Sequence, residues 1–196
     1  IIEVARQRYP DNLSILKDEA SINNWKKDYF KAIESGKQLI ASPDADEQCY
    51  QILGSAYRAD SKYVEAEKVY SQAVAKYPEN SLLYAELGDA LNQNKKAPQA
   101  RDAWEKGIEV GPSISSNYYF LTKFYAEHGN PLWSVLYGEM FINFESFSGR
   151  TSEIRTVVTD QYTALFATPS VLQNYVDGGQ PFEKAVVLTA NTIINV

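Results

Sequence analysis

Between Glu47 and Asn80 the apolar residues fall on two separate stripes. Tyr50, Leu53, Gly54 and Tyr57 follow i, i+3, i+4, i+7 spacing, which places them on one face of a helix. Ala66, Tyr70 and Ala73 follow i, i+4, i+7 and define a second face. Between them "RADSK" supplies polar turn residues, and Pro78 ends the second helix because proline lacks the N–H that a helix interior needs. The pattern predicts a helix-turn-helix over residues 47 to 80.

That unit recurs. Pro10, Pro78 and Pro112 lie on a period of 34, and the missing position 44 holds Asp44 directly after Pro43. "RYPDN" at Arg8 to Asn12 and "KYPEN" at Lys76 to Asn80 stand two periods apart, and both read as the end of one helix and the lead into the next. Residues 81 to 114 repeat the pattern with Tyr84, Leu87, Gly88, Ala100, Trp104 and Pro112, while Leu91 and Gly107 stand in for an aromatic residue and an alanine. Residues 13 to 46 keep Ala32 and Leu39 but carry Leu16, Glu19, Ala20 and Asn23 along the first helix, a degenerate copy. Residues 1 to 12, with Ala5 and Pro10 in register, read as the second helix of a still earlier unit, which leaves room for further repeats before it.

From 115 to 148 the first helix conforms through Tyr118, Leu121 and Tyr125, whereas the second carries Ser134, Gly138 and Phe141 in the Ala, aromatic and Ala slots. Its text, "PLWSVLYGEMFINF", is apolar on nearly every face, so it requires cover on more than one side. Residues 151 to 167 are expected to provide it through a stripe of Ile154, Val157, Val158, Tyr162, Leu165 and Phe166, the way a repeat array is capped. In the tail, Thr168-Pro169 starts a helix, Gly178-Gly179 breaks it and Pro181 opens another, giving two short helices folded back on the cap. The expected division is a repeat array over 1–148 and a C-terminal helical capping extension over 149–196.

The set aromatic, Leu, Gly, Tyr, Ala, Tyr, Ala, Pro in residues 47 to 80 resembles the tetratricopeptide repeat at all eight signature positions. The resemblance implies an all-α, right-handed solenoid of bacterial type whose concave face is lined by the first helix of each repeat. In such proteins that groove takes an extended or helical peptide. Family groove positions carried onto this chain give Lys17, Ser21 and Asn24, then Gln48, Gln51, Ser55 and Arg58. They continue with Glu86, Asp89 and Asn92, and end with Tyr119, Phe120 and Lys123. Interface energy concentrates in aromatic residues and Arg, so Tyr119 and Phe120 are the expected hot spot. The clamp that grips a chaperone's C-terminal carboxylate is not expected. Lys17 matches its first position, but Ser21, Ile52, Leu82 and Glu86 occupy the others, and Gln51, Ser55, Glu86, Ser116 and Phe120 do so one repeat on. Glu86 and Asp89 point instead to a basic or hydrogen-bonding ligand.

Composition narrows the function further. The 196 residues carry a net charge of -6, with 44% hydrophobic and 22% charged positions, an ordinary globular balance. Nucleic acid and anionic membranes reward clustered cations, and Lys26-Lys27 and Lys95-Lys96 are the basic runs, both read as helix ends or turns. No apolar stretch approaches the ~20 residues that a spanning helix requires. A single cysteine, Cys49, reads as a small packed residue, and a single histidine, His128 in "AEHGNP", as a helix C-cap. "VDGGQP" lacks the spacing and lysine of a phosphate loop. The chain opens on Ile1, which fits a trimmed or processed protein, so compartment is left open between cytoplasm and periplasm for a soluble chain. The expected function is a non-catalytic protein-interaction scaffold with no cofactor, metal or nucleic-acid partner. The alternative is a structural segment of a larger repeat or envelope assembly that makes its contacts through its ends.

Gly54 and Gly88 each cost roughly 0.5–1 kcal/mol in a helix relative to alanine, which predicts that the two helices of a repeat approach closely with Ala66 and Ala100 facing the contact. Ala66→Leu is therefore expected to overpack the repeat and cost about 1–3 kcal/mol, read as a lowered midpoint in thermal or urea unfolding.

Overall fold

The computed structural model describes residues 2–10, 12–167, 169–184 and 186, and every polar run that separates two apolar stripes in them is a turn between helices. In chain order the helices are α1 (Ile2–Arg8), α2 (Leu13–Trp25), α3 (Tyr29–Ala41), α4 (Glu47–Ala59), α5 (Tyr63–Lys76) and α6 (Ser81–Gln93). They continue with α7 (Ala97–Val110), α8 (Ser115–Glu127), α9 (Pro131–Phe144), α10 (Gly149–Leu165) and α11 (Pro169–Gly178). No strand occurs among the described residues. The first predicted tail helix is α11; of the second, from Pro181, only the first residues are helical within the described part, and the rest lies outside it. The chain forms two compact units, Ile1–Asn117 and Tyr118–Val196. In the first, α2, α4 and α6 run side by side, with α3, α5 and α7 packed behind them as the second helix of each pair.

The turn inside each pair uses one geometry. Lys27, Ser61, Lys95 and Gly129 all have positive φ, at 63°, 57°, 63° and 68°, and each lies 34 residues from the next. The residue that follows donates its N–H to a carbonyl five residues back: Asp28 to Asn23 at 2.9 Å, Lys62 to Tyr57 at 2.8 Å, Lys96 to Leu91 at 2.9 Å and Asn130 to Tyr125 at 2.9 Å. This is the left-handed helix stop in which glycine is favoured because a Cβ crowds the backbone. Three of the four positions nevertheless hold a residue with a side chain.

The connections between pairs explain the repeated pentamer. Its asparagine caps the following helix: Asn12 accepts from the Ile15 N–H at 3.1 Å, and Asn80 from the Leu82 and Leu83 N–H groups at 3.0 and 3.3 Å. Asp46, one period between them, accepts from the Cys49 N–H at 3.2 Å, satisfying donors that the first turn leaves unpaired. The basic residue and tyrosine of "KYPEN" hold the preceding connection, since Lys76 Nζ and the Tyr77 hydroxyl both donate to the Ala45 carbonyl, at 3.0 and 2.8 Å.

Packing follows a size exchange between two positions of the repeat. A Cβ on Gly54 would lie 2.4 Å from the Tyr70 ring, and one on Gly88 would lie 2.2 Å from the Trp104 indole. The glycines are thus required by the aromatic rings and not by Ala66 and Ala100, which are buried to one side, Ala66 with Ala73, Leu83 and Ala90. In the two divergent repeats the exchange is reversed. Ala20 and Thr122 replace the glycine, and Gly36 and Gly138 replace the aromatic, leaving space that Leu53 of α4 and Val158 of α10 enter. Gly107 follows the same logic, because a Cβ there would lie 2.4 Å from Asn117 Oδ1. Asn117 is wholly buried and donates to Ser81 Oγ at 2.9 Å, while Ser81 Oγ donates to the Gly107 carbonyl at 2.7 Å.

In the second unit α10 covers α9, with Thr151, Ile154, Val158 and Leu165 buried. The predicted stripe is corrected at two residues: Tyr162 and Phe166 remain 40% and 44% exposed and stack on each other. The reason is that α9 presents the charged Glu139 at that level, and the Tyr162 hydroxyl reaches its Oε1 at 3.3 Å. His128 is exposed at the end of α8, where its Nδ1–H donates to the Phe124 carbonyl at 2.7 Å.

Left-handed backbone costs a side-chain-bearing residue roughly 1–2 kcal/mol, against roughly 0.5–1 kcal/mol for the extra freedom of an unfolded glycine. Lys95→Gly is therefore expected to stabilise by about 0.5 kcal/mol and Gly129→Ala to destabilise by about 1 kcal/mol, measured as opposite shifts in urea midpoint.

Candidate functional site

The first helices of the first unit present a polar face. Lys17 on α2 does not face it as a free cation. Its Nζ donates to Asp46 Oδ2 at 2.6 Å and to Gln48 Oε1 at 3.0 Å, so two expected groove residues and a cap tie α2 to the start of α4. Farther along the face, Arg58 of α4 reaches α6 and pairs with Glu86 at 2.7 Å and Asp89 at 2.5 Å. The Tyr70 hydroxyl donates to Glu86 Oε2 at 3.2 Å and completes a network across the pairs.

Electrostatics keep Arg58 charged and Tyr70 neutral. Burial works against the Arg58 charge, but the Glu86 carboxylate, with Asp89, outweighs it and keeps the guanidinium above its ordinary value. Burial, and then the charge of Glu86, push Tyr70 well above its ordinary value, so its hydroxyl stays a donor. Glu86 and Asp89, expected from the sequence to favour a basic or hydrogen-bonding ligand, both pair with Arg58 of the chain itself. Arg58 occupies the same repeat position as Asn24 and Asn92, and its longer side chain spans to the neighbouring helix.

Beside this ion cluster lies a hollow of about 420 Å³ lined by Asn24, Ser55, Arg58, Tyr63, Asp89 and Gln93. Four of these, Asn24, Ser55, Arg58 and Asp89, are residues that the repeat register singles out. Tyr63 and Gln93 are not, since Tyr63 opens the second helix of its pair and Gln93 falls one position past the family set. Asn24 Oδ1 is buried and has no hydrogen-bond partner among the described residues, whereas Ser55 Oγ donates to the Ile52 carbonyl at 3.0 Å. Gln51 and Asn92 are half-buried and lie outside the lining of the hollow.

The remaining expected residues belong to the second unit. Tyr119 donates to Glu153 Oε2 at 2.7 Å, Lys123 Nζ to Glu153 Oε1 at 2.7 Å, and the Arg150 guanidinium lies 5.2 Å from the Tyr119 ring centre. Phe120 meets Tyr119 edge to face at 5.3 Å. α10 therefore engages Tyr119 and Lys123 directly. Among the described residues no group of three or more His, Cys, Asp or Glu side chains is placed to hold a metal, and no helix is long and apolar enough to cross a membrane.

The Lys123 and then the Tyr119 hydrogen bonds hold the Glu153 carboxyl below its ordinary value. A carboxylate whose folded pKa lies below its unfolded one, ~4.3 for Glu, contributes fully above that value and loses the contribution as pH falls through the folded pKa. Glu153→Gln is expected to melt below the parent chain at about pH 7 and level with it at about pH 3, as followed by circular dichroism.

No protein-family profile matches the chain, and no curated protein matches it. Solved structures do. PilF of Pseudomonas aeruginosa superposes with a TM-score of 0.69 at 17% identity, covering 96% of this chain and 86% of that one. A thermophilic TPR protein of Thermus thermophilus superposes with a TM-score of 0.67 at 16% identity, over 82% of this chain and 87% of its own. MamA does so at 0.63 and 22% identity, over 74% and 85%. Helix pairs with a left-handed stop every 34 residues, glycine seats beneath aromatic rings and these likenesses together show that the chain has the tetratricopeptide repeat fold.

Proposed function

We propose that the face formed by α2, α4 and α6 holds an extended segment of a partner protein, and that the chain is a non-catalytic interaction scaffold. The observation that carries this reading is Asn24 Oδ1, a buried acceptor on the lining of a hollow of about 420 Å³ with no partner among the described residues. Leaving such a group unpaired costs about 1–3 kcal/mol, and a turn of the Asn24 amide toward the hollow would let a main-chain N–H of a bound segment remove that cost. The ions around the hollow support the same reading. Arg58, Glu86 and Asp89 satisfy one another, so the groups left to a ligand are amides and hydroxyls, which suit the uniform main chain of a peptide better than a fixed charge. Gln51 and Asn92 extend the candidate contact set, and Phe120, in the second unit, is a separate candidate contact.

Ser55→Trp fills the hollow, and Asn24→Leu removes the acceptor while keeping the volume. Both variants are expected to retain the parent melting temperature and to lose at least about tenfold in capture of the native partner, since one buried hydrogen bond with its neighbours is worth on the order of 1.4 kcal/mol or more. Full recovery of the partner by both variants would defeat the groove reading and favour contacts made through the ends of the array.

A further inference from the structure

α9 is apolar over most of its surface, and its neighbours account for only part of that. Ser134, Val135, Gly138 and Phe141 are buried, and Leu132 packs with Leu165 of α10 and with Val171, Leu172, Tyr175 and Val176 of α11. Trp133 and Tyr137 belong to neither set. With Tyr125 of α8 they form a ledge of near-parallel rings. Tyr125 and Tyr137 are 5.7 Å apart at 13°, Trp133 and Tyr137 are 5.5 Å apart at 26°, and Tyr125 and Trp133 are 6.1 Å apart at 28°.

Two adjacent residues of the tail sit on this ledge, each by a different chemistry. The Phe182 ring stacks on Trp133 at 5.4 Å and 25°. Glu183 accepts a hydrogen bond from the Trp133 indole N–H at 2.6 Å through Oε1, and one from the Gln180 backbone N–H at 2.8 Å through Oε2. The carboxylate thus reads the indole edge and caps its own helical turn at once. The hold is slight, because Phe182 is still 55% exposed. α11 has a separate anchor in the Tyr175 hydroxyl, which donates to Asn130 Oδ1 at 2.9 Å.

We propose that the Tyr125, Trp133 and Tyr137 ledge is a second recognition site, for a partner-protein segment that begins a helix with an aromatic residue followed directly by a carboxylate, and that Phe182 and Glu183 occupy it in cis. The occupant on the ledge defines the ligand: a flat ring for the indole face and an acid for the indole N–H. A tethered occupant acts as a local competitor at an effective concentration near millimolar. Its removal therefore raises the apparent affinity for a segment of the same chemistry.

The test uses the full chain with Trp25→Phe, which removes an indole 85% exposed elsewhere, with and without Phe182→Ala and Glu183→Ala. The probe is the peptide GGQPFEK, the chain's own residues 178–184, with GGQPAAK as control, and the signal is tryptophan emission. The expected result is a saturable blue shift with GGQPFEK alone, at least about tenfold tighter for the double variant than for the parent, with near-ultraviolet dichroism showing the variant folded. No saturable change in the folded variant, or equal affinity in the two chains, would overturn the proposal. Sedimentation velocity separates the remaining occupant: a dimer of the parent chain that the double variant cannot form would assign the ledge to a second copy and overturn a foreign partner.

Discussion

The seat of an aromatic ring on a glycine is the contact from which the rest of the array follows. The Tyr70 ring lies 2.4 Å from where a Cβ of Gly54 would be, and the Trp104 indole 2.2 Å from where a Cβ of Gly88 would be. Either glycine weakens its own helix slightly, yet each lets a whole ring be buried, which contributes roughly 1.5–3 kcal/mol. Burial outweighs propensity here. The seated ring also aims its polar edge: the Trp104 indole N–H donates to the Ala85 carbonyl at 3.2 Å, and the Tyr70 hydroxyl reaches Glu86. One packing choice thereby sets the distance between paired helices and anchors the ion cluster on the polar face.

Volume at that contact is conserved while its chemistry moves. Where the ring is absent, at Gly36 and Gly138, a side chain of the following helix enters the space. The divergent repeats are therefore variants of one solution, and the reversal at Gly138 is what allows Val158 of α10 to close over α9. A helix apolar over most of its surface needs cover on more than one side, and α9 finds it on part of that surface while Glu139, Met140, Asn143 and Phe144 stay exposed. Its covered faces go to α10, to α11 and to the ledge that Phe182 and Glu183 cover.

On the polar face the deciding constraint is charge satisfaction. A buried cation without a partner is costly, and Arg58 finds two partners on the adjacent helix. That arrangement uses up the charges and leaves Asn24, Ser55 and Gln93 around the hollow. In the second unit Tyr119 and Lys123 bond to Glu153 at the surface. Several residues that look available in a register of groove positions, Lys17, Gln48, Arg58, Glu86 and Asp89 among them, are thus engaged in joining neighbouring helices, while the buried Asn24 Oδ1 has no partner among the described residues.

Sequence by itself determined the period, the pairing of helices and their punctuation. Each of these is local: an apolar stripe needs only its own helix, and a cap such as Asn80 only the next three residues. It also placed Asn24, Ser55, Arg58 and Asp89 on one face, because a repeat register carries face along with it. What tertiary structure decided is which side chains of different helices meet. The pairing of Arg58 with Glu86 and Asp89 depends on side-chain reach across a gap that spacing does not describe. The exposure of Tyr162 depends on Glu139 facing it, and the need for Gly107 on Asn117 arriving beside it. The left-handed turns at Lys27, Ser61 and Lys95 were hidden for the opposite reason: no residue there announces the geometry that the helix pair on either side imposes.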